Sequence, residues 1–291
     1  MFKAAHSPYL VPYDGSFVRS KASTSPPASA PSKKVCKDKL ALYTDELSDL
    51  QRRLYATDSW SVLLIFQAMD AAGKDSTIRN VLSGVNPAGC QVFSFKKPST
   101  KELEHDFMWR TSCALPERGR IGVFNRSYYE EVLAVKVHPE YLDYQRLPEP
   151  CRNKSSFWKH RYESILDHEK HLARNGTVIL KFWLNVSKEE QRQRLLSRID
   201  EPHKNWKFDV GDLETRKYWS DYMRAYGALL KQTSTSFAPW YAIPADNKPF
   251  MRMTVAELIV KNLRRLKLTY PPVDAAQRRE LRTIRHLLED K

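Results

Sequence analysis

The chain has 291 residues, 42% of them hydrophobic, which supports a sizeable core in one large α/β domain or two small ones and excludes global disorder. A formal net charge of +14 favours a polyanionic partner (nucleic acid, an anionic membrane surface or a phosphate polymer) without choosing among them. Cys36, Cys90, Cys113 and Cys151 form no C-x-x-C pair, residues 1–10 lack the apolar core of a signal peptide, and no apolar run approaches a membrane span, so a reduced, cytoplasmic protein is expected.

Residues 1–34 are rich in Ser, Pro and Ala and read as an extended or mobile arm. Leu40, Tyr43, Leu47, Leu50 and Leu54 then recur at spacings of three and four, which predicts an amphipathic helix. The run V-L-L-I-F at 62–66 is continuous and apolar, as in a buried parallel strand. A small-residue turn spans 68–73, and Lys74 opens a helix that continues through Ile78 and Val81. After breaks at Gly84 and Pro87, residues 91–95 are a second strand. Ser99 and Glu102 form a capping box for a helix to about Leu115. A third strand, 121–124, ends at Asn125-Arg126-Ser127. A helix over about 155–174 closes at Asn175-Gly176, and 178–184 is a fourth strand. Ser187 and Glu190 cap a basic helix bearing Arg192, Arg194 and Arg198. Asp212 is placed to cap another helix reaching about Lys231, 240–243 is a fifth strand, and helices fill the rest. This alternation predicts a parallel sheet covered on both faces, with residues 35–291 as one domain and functional loops at the carboxyl ends of the strands. No internal repeat is present, which excludes a solenoid.

The first such end is the richest in chemistry. A strand, a small-residue loop, a lysine and a helix N-terminus together make an anion cradle, because free backbone N–H groups and the positive end of the helix dipole converge there. The pattern G-x-x-x-x-G-K-[ST] is kept at Gly73 and Lys74. Ala68 replaces the first glycine, Asp75 stands where a metal-binding hydroxyl is usual, and Ser76 comes one position later. On G-K alone the segment is only a tight turn before a helix. The apolar strand before it and the two acids beside it, Asp70 and Asp75, favour phosphate binding. Two carboxylates would repel an anion unless a divalent cation lies between them.

Phosphoryl transfer needs positioning, a metal and cations around the moving group. Lys74 and the loop amides would hold one phosphate, Asp70 would hold Mg²⁺, and Arg126 would face the phosphates from the next strand end. A structural ion pair is the plainer reading of Arg126. Residues 198–217 combine Pro202 and Gly211 with Arg198, Lys204, Trp206, Lys207 and Arg216, which suits a lid that brings cations and excludes water, or a solvated basic loop. His160, His168 and His171 lack a metal-site spacing. Trp158, Trp183, Trp219 and Trp240 are expected in the core or an interface, whereas Phe107-Met108-Trp109 is placed at the border of a nucleotide pocket.

The strings F-Q-A-M-D-A-A-G-K-D, S-F-K-K-P-S, H-D-F-M-W-R, A-L-P-E-R-G, V-F-N-R-S-Y-Y-E-E-V-L, K-N-W-K-F and A-P-W-Y-A-I-P-A-D-N-K resemble the polyphosphate kinase 2 family, in order, over about residues 36–268. The resemblance implies a thymidylate-kinase-like P-loop kinase: a three-layer α/β/α sandwich with a five-stranded parallel sheet and a helical lid. It also implies Mg²⁺- or Mn²⁺-dependent phosphoryl transfer between inorganic polyphosphate and AMP or ADP, giving ADP or ATP. By the same resemblance Asp70 and Lys74 match the Walker A acid and lysine, and Asn125 and Arg126 match the Walker B pair. Ala71, Ala72, Gly73, Lys74, Asp75, Ser76, Arg126, Arg198 and Lys204 would meet the phosphates. Asn125, Arg126, Tyr129, Glu130, Lys204 and Asp212 would meet the nucleotide. Many members have Asp at the position of Asn125 and Gly at those of Ala68 and Asp75. A neutral Asn125 is a poor metal ligand, so the metal falls to Asp70, with Asp75 as the second candidate. The variants A-M-D-A-A-G-K-D and F-N-R-S resemble the subgroup that phosphorylates AMP as well as ADP. A homodimer or homotetramer is the expectation from the family, with no membrane or nucleic-acid partner. Two other readings remain open at this point: an ATP-dependent nucleoside or nucleotide kinase, and a basic nucleic-acid-binding protein, although no recognition helix or RNA-binding sheet motif is visible.

Overall fold

The computed structural model describes residues 2–152 and 155–289. Helix α1 (Lys33–Thr57) leads into strand β1 (Ser61–Gln67), which is followed by α2 (Lys74–Val81), β2 (Cys90–Ser94) and the one-turn helices α3 (Thr100–Leu103) and α4 (Trp109–Ser112). Next come β3 (Ile121–Asn125), α5 (Ala134–Val137), α6 (Phe157–Arg174), β4 (Thr177–Asn185) and α7 (Lys188–Asp200). Helices α8 (Val210–Lys217) and α9 (Trp219–Thr233), β5 (Trp240–Pro244), α10 (Lys248–Arg264) and α11 (Ala275–Glu289) follow.

All five strands are parallel, in the order β2-β3-β1-β4-β5. β1, β3 and β4 are buried along their whole length, which is why they read as predominantly apolar runs; β2, at the edge, is mostly exposed. The pleat sends successive side chains of β4 to opposite layers. Lys181 reaches Glu169 on α6 and the Thr233 carbonyl on α9. Phe182 points the other way, stacking between Phe66 and Tyr241, whose hydroxyl meets Asn262 on α10. The sheet is therefore covered on both faces.

The N-terminal segment follows the β5 edge. Leu10 makes an antiparallel bridge with Tyr241, the Val11 N–H donates to the Trp240 carbonyl at 2.9 Å, and Val11 is buried. Further on, the carbonyls of Ala22 and Ser23 accept from the Asn185 amide. Covering an edge in this way removes a template for strand addition.

Two helix expectations are corrected. The capping box at Ser99 forms, but the helix stops at Leu103 because Asp106 accepts from the Met108 N–H and diverts the backbone, so α4 starts afresh. Asp212 caps nothing: Asp209 accepts from the Gly211 N–H as the cap of α8, Asp212 lies in the first turn, and a non-helical Tyr218 separates α8 from α9. Among the described residues no helix is long and apolar enough to cross a membrane.

Candidate active site

β1 and β3 are neighbours with Phe66 opposite Asn125, so the loop after β1 and the turn after β3 open side by side at the carboxyl edge of the sheet. The loop is shaped by two left-handed residues, Ala71 (φ 59°) and Gly73 (φ 106°). At Gly73 a side chain would be strained by this φ, and its Cβ would come within 3.3 Å of Met251. Gly73 thus permits the tight entry into α2, where the hydroxyls of Ser76 and Thr77 donate back to its carbonyl at 3.0 and 2.9 Å. Lys74 is buried, and its Nζ spans the loop to donate to the Ala68 carbonyl at 2.8 Å. Burial, then the neighbouring Arg126 cation, pushes its pKa below the usual lysine range.

Arg126 crosses from the β3 turn to the β1 loop and holds Asp70 Oδ1 at 2.6 Å. Its own backbone is left-handed (φ 64°), and its N–H donates to the Phe66 carbonyl at 3.1 Å. Glu130, then Asp70, holds the guanidinium firmly in its charged form. The Asn125 amide donates to Asp75 Oδ1 and, at 3.4 Å, to Ser94. Asp70, Lys74, Asp75, Asn125, Arg126 and Glu130 are therefore brought together. Asp212 joins them from α8: Arg198 pairs with it, and burial with the charge of Asp70 raises its pKa. Arg198 reaches the site only through Asp212.

Two predicted residues are not brought in. Tyr129 is fully buried, with its hydroxyl 2.7 Å from Glu169 and 2.8 Å from the Lys181 ammonium, so its side chain points into the core. It faces the core because the 3-10 turn of Tyr128–Val132 rotates it inward. Lys204 points to the end of α7, where it meets Ser197 at 2.9 Å and pairs with Glu201. Ala71 and Ala72 contribute through their backbones: their carbonyls accept from Arg194 Nη1 at 3.3 and 2.6 Å.

Arg194 is the main residue that the sequence reading left in an undifferentiated basic helix. Its other nitrogens reach Glu190 at 2.7 Å and the Ala245 carbonyl at 2.6 Å, fastening the loop to α7 and to the segment after β5. The i,i+4 spacing from Glu190 was the available signal. Gln191 adds a bond to the Asp70 carbonyl at 3.0 Å.

Beside Arg126 and Glu130 lies a cavity of about 390 Å³, walled by Phe95, Phe107, Tyr141 and Tyr144 with Lys96, Lys97 and Arg110. Aromatic faces and cations in one cleft suit a base and its phosphates. Phe107 lines it; Trp109 instead stacks on His105 at 3.9 Å.

Asp70 and Asp75 each commit one oxygen to a neighbour, and two carboxylates beside the loop fit the usual ligand set of Mg²⁺, which takes one or two carboxylates, waters and substrate phosphates. Among the described residues no cluster of three or more Asp, Glu, His or Cys side chains offers an all-protein cage.

A five-stranded parallel sheet covered by helices, with this loop and its buried lysine, is a P-loop kinase fold. Residues 30–270 match polyphosphate kinase 2 (PPK2), and the chain belongs to that family of polyphosphate kinases. An ADP-polyphosphate phosphotransferase of Rhodopseudomonas palustris is 57% identical over 249 residues, covering 86% of each chain. An AMP/ADP-polyphosphate phosphotransferase of Meiothermus ruber is 43% identical over 244 residues, covering 84% of this chain and 87% of that one. The crystal structure of polyphosphate kinase 2 from Arthrobacter aurescens superposes with a TM-score of 0.83 at 35% identity, covering 96% of this chain and 99% of the other.

Proposed function

We propose that the chain transfers a phosphoryl group between inorganic polyphosphate and AMP or ADP, forming ADP or ATP, with Mg²⁺ or Mn²⁺. The observation that carries this reading is the position of Arg126, which holds Asp70 at the β1 loop and also lines the aromatic cavity. One guanidinium thus borders both the β1 loop and the cavity, as transfer between two phosphate-bearing ligands requires. Lys74, released from the Ala68 carbonyl, would contact the transferred group together with the loop amides. Asp70 and Asp75 would hold the metal, which when bound supplies charge neutralisation across phosphate oxygens. Glu130 and Asn125 would orient the nucleotide end, and α8 would close with Asp212 and Arg198. The attacking phosphate oxygen is already ionised, so no strong base is needed.

A basic surface beside the loop supports a polyphosphate chain as one ligand. Lys248 and Arg252 on α10 lie near Arg79, Arg194 and Lys204, and burial together with these cations depresses the pKa of both. The Arg252 Nε is buried without a hydrogen-bond partner among the described residues. A polyanion at this surface would offset the mutual repulsion of these cations. Cytoplasmic location and homo-oligomeric assembly fit the same reading.

The test is a product assay with purified protein, Mg²⁺ and long-chain polyphosphate, supplying AMP and ADP separately and ATP as an alternative donor. Polyphosphate-dependent formation of ADP from AMP and of ATP from ADP is expected. Turnover with ATP as the only effective donor would overturn the proposal.

A further inference from the structure

Helix α11 takes no part in the proposed catalysis. It lies beyond the region matched by the family, which ends at residue 270, and follows Pro271 and Pro272. Every residue from 269 to 289 is exposed. Yet its start is well specified: Asp274 accepts from the N–H groups of Ala276 and Gln277 at 2.8 Å each, and the Gln277 side chain accepts from the Asp274 N–H at 3.1 Å. A 15-residue helix is marginal in water on its own, so a capped helix without a packed face lacks most of its usual stabilisation.

The face it presents is apolar. Leu281, Ile284 and Leu288, spaced by three and four, are 56%, 42% and 72% exposed. They occupy the a, d and a positions of a two-helix seam, with Arg278, Arg279, Arg282 and Arg285 on the remaining faces. In a chain of net charge +14, two such helices would repel unless the flanking charges were matched. They are matched in one orientation. Glu280 occupies a g position and Arg285 the e position five residues on, the pair that face each other across a parallel seam. An antiparallel seam sets e against e, which would oppose Arg278 to Arg285. Among the described residues Glu280 has no ion-pair partner, while Arg285 binds Glu289 within the helix at 2.7 Å through Nε alone.

We propose that α11 is a self-association element, which pairs in parallel register with α11 of a second copy of this chain through Leu281, Ile284 and Leu288, with Glu280 of each copy facing Arg285 of the other. A seam of little more than one heptad buries less than a stable interface of about 1,200–2,000 Å² requires, so the pairing shifts a self-association equilibrium and does not lock it.

Sedimentation velocity over a concentration series measures this. The wild-type chain is expected to self-associate, and Leu281→Glu/Leu288→Glu to weaken the association about tenfold or more, with the thermal unfolding of the body unchanged. Glu280→Arg and Arg285→Glu are each expected to weaken it, and the double exchange to restore it. In a background with Cys113 and Cys151 replaced by serine, Leu288→Cys is expected to give a symmetric disulfide, which only a parallel seam permits. Equal association of the wild-type and Leu281→Glu/Leu288→Glu proteins would overturn the proposal. So would a wild-type chain that stays monomeric throughout the series, or one that uses α11 to bind anionic vesicles as a monomer.

Discussion

Lys74 sits in an environment that works against its charge. It is buried, next to a cation, and held by a loop carbonyl where a phosphate would serve better. Its replacement by alanine removes the ammonium that spans the loop, so turnover is expected to fall about 10²-fold or more while the fold persists. Steady-state kinetics on a folded Lys74→Ala protein decides this, and near-normal turnover would exclude the assigned role. The lowered pKa gives a second expectation. A bound phosphate favours the ammonium form, so above the lowered pKa binding takes up a proton, and affinity falls as pH rises. Calorimetry of polyphosphate binding in buffers of different ionisation heat measures the uptake. Lys74→Arg, which stays charged, is expected to lose it; equal uptake in both proteins would remove Lys74 from the phosphate contact. Asp70, Lys74 and Arg126 were legible in the sequence because their place at strand ends follows from the strand-loop-helix pattern. Tyr129 and Lys204 were not, because their directions depend on a 3-10 turn and on a local Glu201 pair.

At the scale of elements, the turn after β3 is held from behind by a buried charged cluster. Lys181 and Glu169, both fully buried, lie 2.6 Å apart. Glu169 also accepts from the hydroxyls of Tyr128 and Tyr129, which begin the segment after Arg126. The sequence carried a signal for this, a lysine inside the apolar run 178–184, but no spacing rule pairs it with a residue on a preceding helix. Burial pushes the Lys181 ammonium down to about 8 while Glu169 pulls it up. Lys181→Met would leave Glu169 charged in the core, and a loss of about 3–5 kcal/mol is expected. Lys181→Met/Glu169→Gln should recover part of it, because the glutamine carbonyl still accepts from a tyrosine and no charge remains. Urea unfolding of the two variants measures the difference. A smaller loss in the single variant than in the double would show that the pair does not share its energy. The strands were legible for the reason that makes them a sheet: parallel strands buried on both faces are predominantly apolar. The helices after Ser99 and around Asp212 were less so, because Asp106 and Tyr218 interrupt them through local geometry.

The net charge of the whole molecule pointed to a polyanion but named none, and the fold adds where the cations lie. They fall into two groups that salt treats differently. Lys74 and Arg126 are partly or wholly buried at the loop, where screening is weak. Arg79, Lys248 and Arg252 border it at the surface, where the Debye length of about 10 Å at 0.1 M salt limits their reach. A long polyphosphate would use both groups and release counterions from its length, whereas a nucleotide would engage mainly the inner one. Long-chain polyphosphate affinity is therefore expected to fall steeply and log-linearly with salt, and the affinity for ADP to fall with a shallower slope. Replacing Lys248 and Arg252 together by glutamine should flatten the polyphosphate slope by roughly two ions' worth and leave the ADP slope unchanged. Titrations at several salt concentrations with both ligands test this separation. If the two ligands share one slope in the wild-type chain, the outer cations do not carry the polymer, and the basic surface needs a different anion.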